Sequence, residues 1–174
     1  MKRAYLLSGE PGSGKTTIIK EVLSKVNKSA GGFYTEEIRV QGARQGFKII
    51  TIDGESAVLA HTSVRSQCRV SKYGVDTDSM DKVAVPALKQ AIQSKDIVVL
   101  DEIGKMELFS SPFKDAVIEA LESGVKVLGT IMLAPHPWAD KIKARPDVEI
   151  IKVTRLNRNE VVNQVLAWIG ALSP

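Results

Sequence analysis

Residues 9–16, "GEPGSGKT", match the pattern G-x-x-x-x-G-K-[ST] in full. The match follows the apolar stretch "AYLLS" (residues 4–8) and precedes "TIIKEVLSKV" (17–26), whose apolar residues recur at helical spacing. Glycines in such a loop let successive backbone N–H groups face phosphate oxygens, and the N-terminus of the following helix favours negative charge. The stretch therefore predicts a strand, a phosphate-binding loop and a helix, in that order.

The residue types of this loop predict individual roles. Lys15 is expected to bridge the terminal phosphates as a point charge, and Thr16 to place its hydroxyl on Mg²⁺. Thr17 is expected to cap the helix or to touch the α-phosphate. The predicted nucleotide-binding residues of the segment are Gly9, Glu10, Pro11, Gly12, Ser13, Gly14, Lys15, Thr16 and Thr17.

A second segment, "DIVVLDEIGKMELF" (96–109), is expected to complete the site. Its apolar run ends in Asp101, which puts a carboxylate at the carboxyl end of a buried strand, where open α/β sheets bind ligands. Asp101 is expected to hold the same Mg²⁺, directly or through water. Glu102 follows, and strand alternation predicts that it points away from Asp101. There it is expected to orient or deprotonate a water in line with the terminal phosphate, which implies hydrolysis with Glu102 and Lys15 as catalytic residues.

The rest of the chain predicts an α/β fold in one domain spanning residues 1–174 with a mostly parallel central sheet. Nearly continuous apolar runs, typical of strands buried on both faces, occur at 3–8, 96–101, 125–131 and 148–153. Residues 31–75 show short strands separated by Gly-bearing turns, which predicts an antiparallel meander inserted after the first helix.

Three further helices are predicted from apolar periodicity and end signals. "SSPFKDAVIEALESG" (110–124) has a serine cap and a glycine stop. A final helix begins near Asn157, where Glu160 completes a capping-box pattern. "DSMDKVAVPALKQAIQ" (78–93) is helical in pattern, although Pro86 should kink or split it.

Composition restricts the class of protein. With 44% hydrophobic and 25% charged residues, the chain is neither disordered nor fibrous, and no apolar run approaches a membrane span. A single cysteine rules out an intramolecular disulfide, and we expect a cytoplasmic monomer or weak oligomer. The net charge of +4 suits an anionic ligand, whereas nucleic acid is not favoured because the basic residues are dispersed and only 5% of residues are aromatic.

Five segments together resemble a known family: "GEPGSGKTT" (9–17), "GFYTEEIR" (32–39), "GFKII" (46–50), "YGVD" (73–76) and "DEIGKMELFS" (101–110). In this order, from about Ala4 to the final helix, the chain resembles the THEP1-type nucleoside-triphosphatases, the group that includes the human cancer-related nucleoside-triphosphatase. The resemblance implies a RecA-like P-loop core of three αβα layers. It also implies Mg²⁺-dependent hydrolysis of ATP, GTP, CTP, UTP and TTP with little base preference.

The resemblance also implies contact residues. The family's two nucleotide-contacting segments correspond to residues 9–16 and to Ile97, Val98, Val99, Leu100, Asp101, Glu102, Ile103 and Gly104. "TRLNRNE" (154–160) resembles the family's Asn-Arg segment before the last helix, which implies that Asn157 and Arg158 lie beside the base or sugar.

Several other residues are weaker candidates. Lys105 and Arg145 are candidates to neutralise charge that develops on the terminal phosphate, although such residues are more often ordinary surface cations. Of Glu36 and Glu37, at most one should face the nucleotide, since neighbours on a strand alternate. Thr130, at a strand end, either senses the terminal phosphate or is an ordinary hydrogen-bonded hydroxyl.

Two other functions stay open. A small-molecule or nucleotide kinase of this length would carry a mobile lid with several arginines, and the arginines of this chain are dispersed. A nucleotide-regulated RNA- or DNA-binding module is compatible with the pI of about 9.2, but no clustered basic helix or aromatic-rich strand supports it.

Overall fold

The computed structural model describes residues 1–170. The elements are, in chain order, β1 (Ala4–Ser8), α1 (Lys15–Lys25), β2 (Ala30–Val40), β3 (Ala43–Thr51), β4 (Ser56–His61), β5 (Arg69–Val70), β6 (Tyr73–Val75), α2 (Thr77–Ser79), a π-helical turn (Met80–Ala84), α3 (Val85–Ser94), β7 (Ile97–Ile103), a 3₁₀ turn (Glu107–Phe109), α4 (Ser111–Glu122), β8 (Lys126–Ile131), α5 (Pro137–Lys143), β9 (Val148–Lys152) and α6 (Arg158–Gly170).

Nine strands within residues 1–170 form one sheet in the order β5-β6-β4-β3-β2-β7-β8-β1-β9. Five neighbouring strands of this sheet pair in parallel, in the order β2, β7, β8, β1 and β9. β8 lies between β1, which precedes the phosphate loop, and β7, which carries Asp101. The predicted α/β class with a mostly parallel central sheet is therefore confirmed.

The two faces of the parallel strands are covered by different helices. Apolar residues of α1 and α6, such as Ile18, Val22 and Val165, pack with Leu7 of β1 on one face. Residues of α3, α4 and α5 pack with Leu6 on the other face. Neighbouring residues of β1 thus point into separate cores, which is why buried parallel strands read as continuous apolar runs. The result is the three-layer αβα arrangement.

The meander extends the same sheet. The first residues of β2, Ala30–Phe33, pair in parallel with β7, and the rest of the strand pairs antiparallel with β3. Gly32 lies in the part of β2 that pairs with β7, with φ of 113°, and a Cβ there would approach the Val99 carbonyl oxygen to 2.1 Å. Only glycine fits this position. The predicted meander is confirmed, with the difference that its first strand also belongs to the parallel core.

The helical region of residues 77–94 is split, as Pro86 predicted. α3 begins at Val85 with Pro86 in its first turn, where no intrahelical N–H donor is needed, and a π-helical turn precedes it. The capping-box prediction for α6 is wrong. The Asn157 side chain accepts a hydrogen bond from Thr154 N at 2.8 Å and donates to Lys152 O at 2.9 Å, so it stabilises the turn before the helix. Among residues 1–170, every helix is too short or too polar to cross a membrane.

Candidate active site

A cavity of about 450 Å³ lies at the carboxyl ends of β1 and β7. We call it the phosphate cleft. Its lining combines the loop after β1, the end of β7 and the meander: Pro11, Gly12, Gly14, Lys15, Thr16, Thr17, Thr35, Glu37, Arg44, Phe47, Asp101 and Glu102. Two segments that are far apart in the sequence therefore form one site with the meander beside them.

The loop between β1 and α1 has the backbone that its glycines predict. Gly14, directly before α1, has φ of 97°, and a Cβ there would lie 2.7 Å from Arg158 Nε. Lys15 Nζ donates a hydrogen bond to the Gly9 carbonyl at 2.6 Å, so the ammonium group lies over the loop. Ser13 is buried, and its hydroxyl makes no hydrogen bond within residues 1–170. This segment is a turn at the N-terminus of an 11-residue helix, the arrangement that binds phosphate.

Asp101 is held by two hydroxyl groups at the end of β7. Thr16 Oγ1 donates to Asp101 Oδ2 at 2.6 Å, and Thr130 Oγ1 donates to Asp101 Oδ1 at 2.7 Å. The carboxylate is only 3% exposed. Burial raises its pKa, whereas the two hydrogen bonds and the charge of Lys15 act in the opposite direction. Thr130, one of the weaker candidates, therefore orients Asp101.

The oxygen donors of Thr16 and Asp101 fit Mg²⁺, which prefers hard oxygen ligands and keeps several waters. Within residues 1–170 there is no group of three or more His, Cys, Asp or Glu side chains placed to hold a metal ion. A cation held by these two residues would therefore complete its coordination from phosphate oxygens and water, which is usual for magnesium in phosphoryl-transfer sites.

Glu102 lines the same cleft as Asp101. The prediction that the two side chains point apart is thus wrong, because regular pairing of β7 with β8 is interrupted between Leu100 and Ile103. The peptide bond between Asp101 and Glu102 is cis. Burial raises the pKa of Glu102, and the positive charge of Lys15 lowers it. The two carboxylates and the lysine therefore share one cleft.

Sequence reasoning missed Glu107. Its side chain is 4% exposed and lies with Glu102 against Gly104, where a Cβ would be 2.6 Å from Glu102 Oε1 and 2.9 Å from Glu107 Oε2. Burial, followed by the negative charge of Glu102, raises the pKa of Glu107 well above its ordinary value. The available signal was the apolar context of "MELF", since a glutamate between Met106 and Leu108 is a candidate for burial.

The structure separates the two candidate cations. Lys105 lines a cavity of about 220 Å³ together with Glu102 and Glu107. Arg145 donates to both carboxylate oxygens of Asp147 at 2.9 Å, just before β9. Since β9 runs parallel to β1, Arg145 lies at the opposite end of the sheet from the phosphate loop. Of the two, only Lys105 lies in a cavity that also contains Glu102.

The two neighbouring glutamates of the meander, Glu36 and Glu37, face different surroundings. Glu37 lines the phosphate cleft, whereas Glu36 faces Lys20 at 3.6 Å and Lys48 at 3.8 Å. Glu37 also pairs with two arginines, Arg39 at 2.6 Å and Arg44 at 3.2 Å. The expectation that at most one of the two glutamates faces the cleft agrees with this geometry.

Several predicted contact residues lie outside the cleft. Five apolar side chains of β7 are at most 1% exposed and pack in the two cores: Ile97, Val98, Val99, Leu100 and Ile103. They position Asp101 but have no surface to offer a ligand, which corrects the prediction that they touch the nucleotide. Arg158 lies beside the loop through its approach to Gly14, and Asn157 stabilises the adjacent turn.

Three features define a P-loop fold of the RecA-like type. A glycine-rich loop joins the buried strand β1 to α1, and the acidic end of β7 faces this loop. One strand, β8, lies between β1 and β7 in the sheet. A family model described as NTPase matches residues 4–166, and the chain belongs to that family. The resemblance found in the motifs is confirmed.

Relatives agree with this assignment over nearly the full length. The nucleoside-triphosphatase THEP1 of Thermotoga sp. (strain RQ2) is 46% identical over 162 residues, which are 93% of this chain and 92% of that protein. The crystal structure of THEP1 from Aquifex aeolicus superimposes with a TM-score of 0.88 at 34% identity, covering 95% of this chain and 98% of that chain. The solution structure of a human cancer-related nucleoside triphosphatase gives 0.83 at 35% identity, with 100% of both chains covered.

Proposed function

We propose that this protein hydrolyses nucleoside triphosphates to the diphosphate and phosphate in a Mg²⁺-dependent reaction. The observation that carries the proposal is the joint placement of Lys15, Thr16, Asp101 and Glu102 in one cleft. A relative 46% identical to this chain bears the name nucleoside-triphosphatase, which supports the same reaction.

Binding is assigned to the loop and to the residues that face it. Backbone N–H groups of residues 9–16 and the N-terminus of α1 hold the phosphate chain, and Lys15 contributes a positive charge to the terminal phosphates. Thr16 and Asp101 hold Mg²⁺, with Thr130 fixing the orientation of the carboxylate. When bound, Mg²⁺ neutralises negative charge on the phosphate oxygens.

Glu102 is assigned to the attacking water. It lines the cleft beside Asp101, and burial raises the pKa of its carboxyl group, which makes the carboxylate a better proton acceptor near neutral pH. The carboxylate orients the water and takes one of its protons as the new O–P bond forms, while the bond between the terminal phosphorus and the bridging oxygen breaks and the diphosphate leaves. Lys105, in the adjoining cavity, stabilises the charge that develops on the terminal phosphate.

Broad base specificity follows from where the contacts lie. The residues assigned to binding face the phosphate chain and the cation, which ATP, GTP, CTP, UTP and TTP share. Asn157 and Arg158 are proposed to lie beside the sugar or base, next to Gly14 of the loop. Similar kcat/KM values for the five nucleotides would support this arrangement, and a preference above about a hundredfold for one base would contradict it.

The decisive experiment is Glu102→Gln. We expect phosphate release to fall by at least about a hundredfold while the affinity for Mg·ADP changes little. The matched control is Glu119→Gln, which changes an exposed glutamate on α4 and should leave turnover unchanged. Turnover near the wild-type level in Glu102→Gln would show that Glu102 does not activate water. Assays with ATP and no acceptor also separate hydrolysis from a kinase reaction, which needs an acceptor.

A further inference from the structure

A second cavity, of about 400 Å³, adjoins the phosphate cleft on the meander side. We call it the meander cavity. Its lining is Arg39, Arg44, Phe47, Val70, Ser71, Lys72, Tyr73 and Met106. The volume is in the range of small-molecule sites, and none of the roles assigned above uses this cavity.

The floor of the meander cavity is a fixed group of aromatic and guanidinium surfaces. Phe47 and Tyr73 meet edge to face, with ring centroids 5.4 Å apart. The Arg44 guanidinium lies 5.2 Å from the Phe47 centroid and 5.7 Å from the Tyr73 centroid, and its Nε donates to Tyr73 Oη at 3.0 Å. Tyr73 is only 4% exposed and supports this group from beneath, so the half-buried Phe47 ring and the exposed Arg44 guanidinium are the surfaces on which a planar ring stacks.

The walls of the meander cavity are positively charged. Arg39, Arg44 and Lys72 line it, and its lining contains no carboxylate. The nearby Glu37 pairs with both arginines and offsets one of the three charges. The remaining positive charge at the rim, together with the Ser71 hydroxyl, favours a phosphate group. Ser71 has a positive φ of 54°, which is uncommon for a residue with a side chain.

The meander cavity is connected to the catalytic end of the phosphate cleft. Arg44 and Phe47 line both spaces. The small cavity that contains Glu102 and Lys105 also shares Phe47 and Met106 with the meander cavity. Two ligands held in the two spaces would be separated mainly by Phe47 and Arg44.

We propose that the meander cavity is a second ligand site, which binds a planar ring carrying a phosphate, of the class of nucleoside monophosphates, while a nucleotide occupies the phosphate cleft. The aromatic and guanidinium floor takes the ring, and Arg39 and Lys72 hold the phosphate. The site is separate from the hydrolytic residues, so it does not depend on which reaction the phosphate cleft performs.

The first test measures binding of AMP by equilibrium dialysis to protein saturated with Mg·ADP. We expect one additional AMP per chain, and at least about tenfold weaker binding of adenosine and of ribose 5-phosphate, because each lacks one of the two recognised parts. Equal affinity for all three compounds would overturn the proposal. So would displacement of AMP by ADP, or no saturable AMP binding below about 1 mM.

The second test uses Lys72→Glu, an exposed substitution that touches only the meander cavity among the cavities described above. We expect about tenfold weaker AMP binding with unchanged ATP hydrolysis in the absence of AMP. Lys141→Glu on α5 makes the same charge change at an exposed lysine elsewhere and should bind AMP normally. Equal AMP affinity in wild type and Lys72→Glu would overturn the proposal.

A third variant separates the two proposals. Lys15→Ala removes a residue assigned to the phosphate cleft, so it should lose ATP hydrolysis and keep AMP binding. AMP binding is measured with this variant saturated with Mg·ADP, at an ADP concentration raised to match its weaker affinity. Loss of AMP binding under that condition would place AMP in the phosphate cleft and overturn the second site, whatever the outcome for hydrolysis.

Discussion

Thr16 Oγ1 donates a hydrogen bond to Asp101 Oδ2 at 2.6 Å, which joins two residues 85 positions apart in the sequence. The contact connects the first turn of α1 to the end of β7. Thr130 holds the other carboxylate oxygen at 2.7 Å. The two proposed magnesium ligands are therefore aligned by the fold itself, and the hydroxyl of Thr16 is the group whose removal should disturb the cation most directly.

Thr16→Val keeps the shape of the side chain and removes that hydroxyl. We expect kcat to fall between about tenfold and a hundredfold and the Mg²⁺ concentration for half-maximal activity to rise. Thr16→Ser retains the hydroxyl, so its kcat and its Mg²⁺ concentration for half-maximal activity should stay close to the wild-type values. A Thr16→Val enzyme with wild-type Mg²⁺ dependence would show that this side chain does not hold the cation.

Glu107→Gln should stabilise the fold at alkaline pH. The folded-state pKa of Glu107 is raised above the ordinary value of 4.5, so the native state holds a proton that the unfolded chain has lost. The contribution of Glu107 to the free energy of unfolding is therefore greatest below about pH 4.5. It falls as pH rises to the folded-state pKa, by about 1.4 kcal/mol per unit of difference between the two pKa values.

Denaturant titrations at pH 5 and pH 8 test this prediction. The gain in unfolding free energy of Glu107→Gln over wild type should be larger at pH 8 than at pH 5. The exposed Glu119→Gln should show no such difference between the two pH values. A gain that is equal at both pH values would mean that Glu107 is not protonated in the folded protein.

Lys105→Ala should lower kcat by about a hundredfold with little change in KM, because the ammonium group is proposed to act on charge that appears only in the transition state. Arg145→Ala is the comparison, since Arg145 is bound to Asp147 at the other end of the sheet. It should keep its turnover. Steady-state kinetics of the two variants decide the matter, and equal losses in both would remove Lys105 from the mechanism.

Gly14→Ala should weaken nucleotide binding through two separate effects. Its φ of 97° costs a residue with a side chain about 1–2 kcal/mol, and the new Cβ would lie 2.7 Å from Arg158 Nε. Gly12 has φ of 77°, but a Cβ added there would meet no atom within 4 Å, so Gly12→Ala isolates the backbone effect.

Titrations with Mg·ADP should therefore rank Gly12→Ala above Gly14→Ala in affinity. In an Arg158→Ala background, Gly14→Ala should cost less affinity than it costs in the wild type, because the guanidinium contact is gone. If Gly14→Ala costs the same affinity in both backgrounds, the contact with Arg158 is not the cause.

Local patterns carried much of the sequence-based prediction. The loop with Lys15 and Thr16 and the strand end at Asp101 are contiguous motifs, and each lies where its pattern placed it. The meander was recognised from Gly-bearing turns, and the split helix from Pro86. In these cases the information is contained in a few neighbouring residues.

Contacts between distant residues were not accessible in the same way. The burial of Glu107 depends on the 3₁₀ turn that brings its side chain against Gly104. The position of Arg145, at the end of the sheet opposite the phosphate cleft, depends on the direction of β9. The alternation rule failed at Glu102, where the β7 ladder is irregular. Arg44 and Phe47 line the phosphate cleft because β3 pairs with β2, and this pairing brings them beside a loop that is distant in the sequence.

The double pairing of β2 has a consequence for truncated or rearranged forms of this chain. β2 pairs with β7 on one side and is covered by β3 on the other, so it is an interior strand. A shortened protein that lacked β3 and β4 would leave the backbone N–H and C=O groups by which residues 33–40 of β2 pair with β3 open to strands of other molecules, the usual origin of intermolecular aggregation. The meander thus also protects solubility, independently of any ligand.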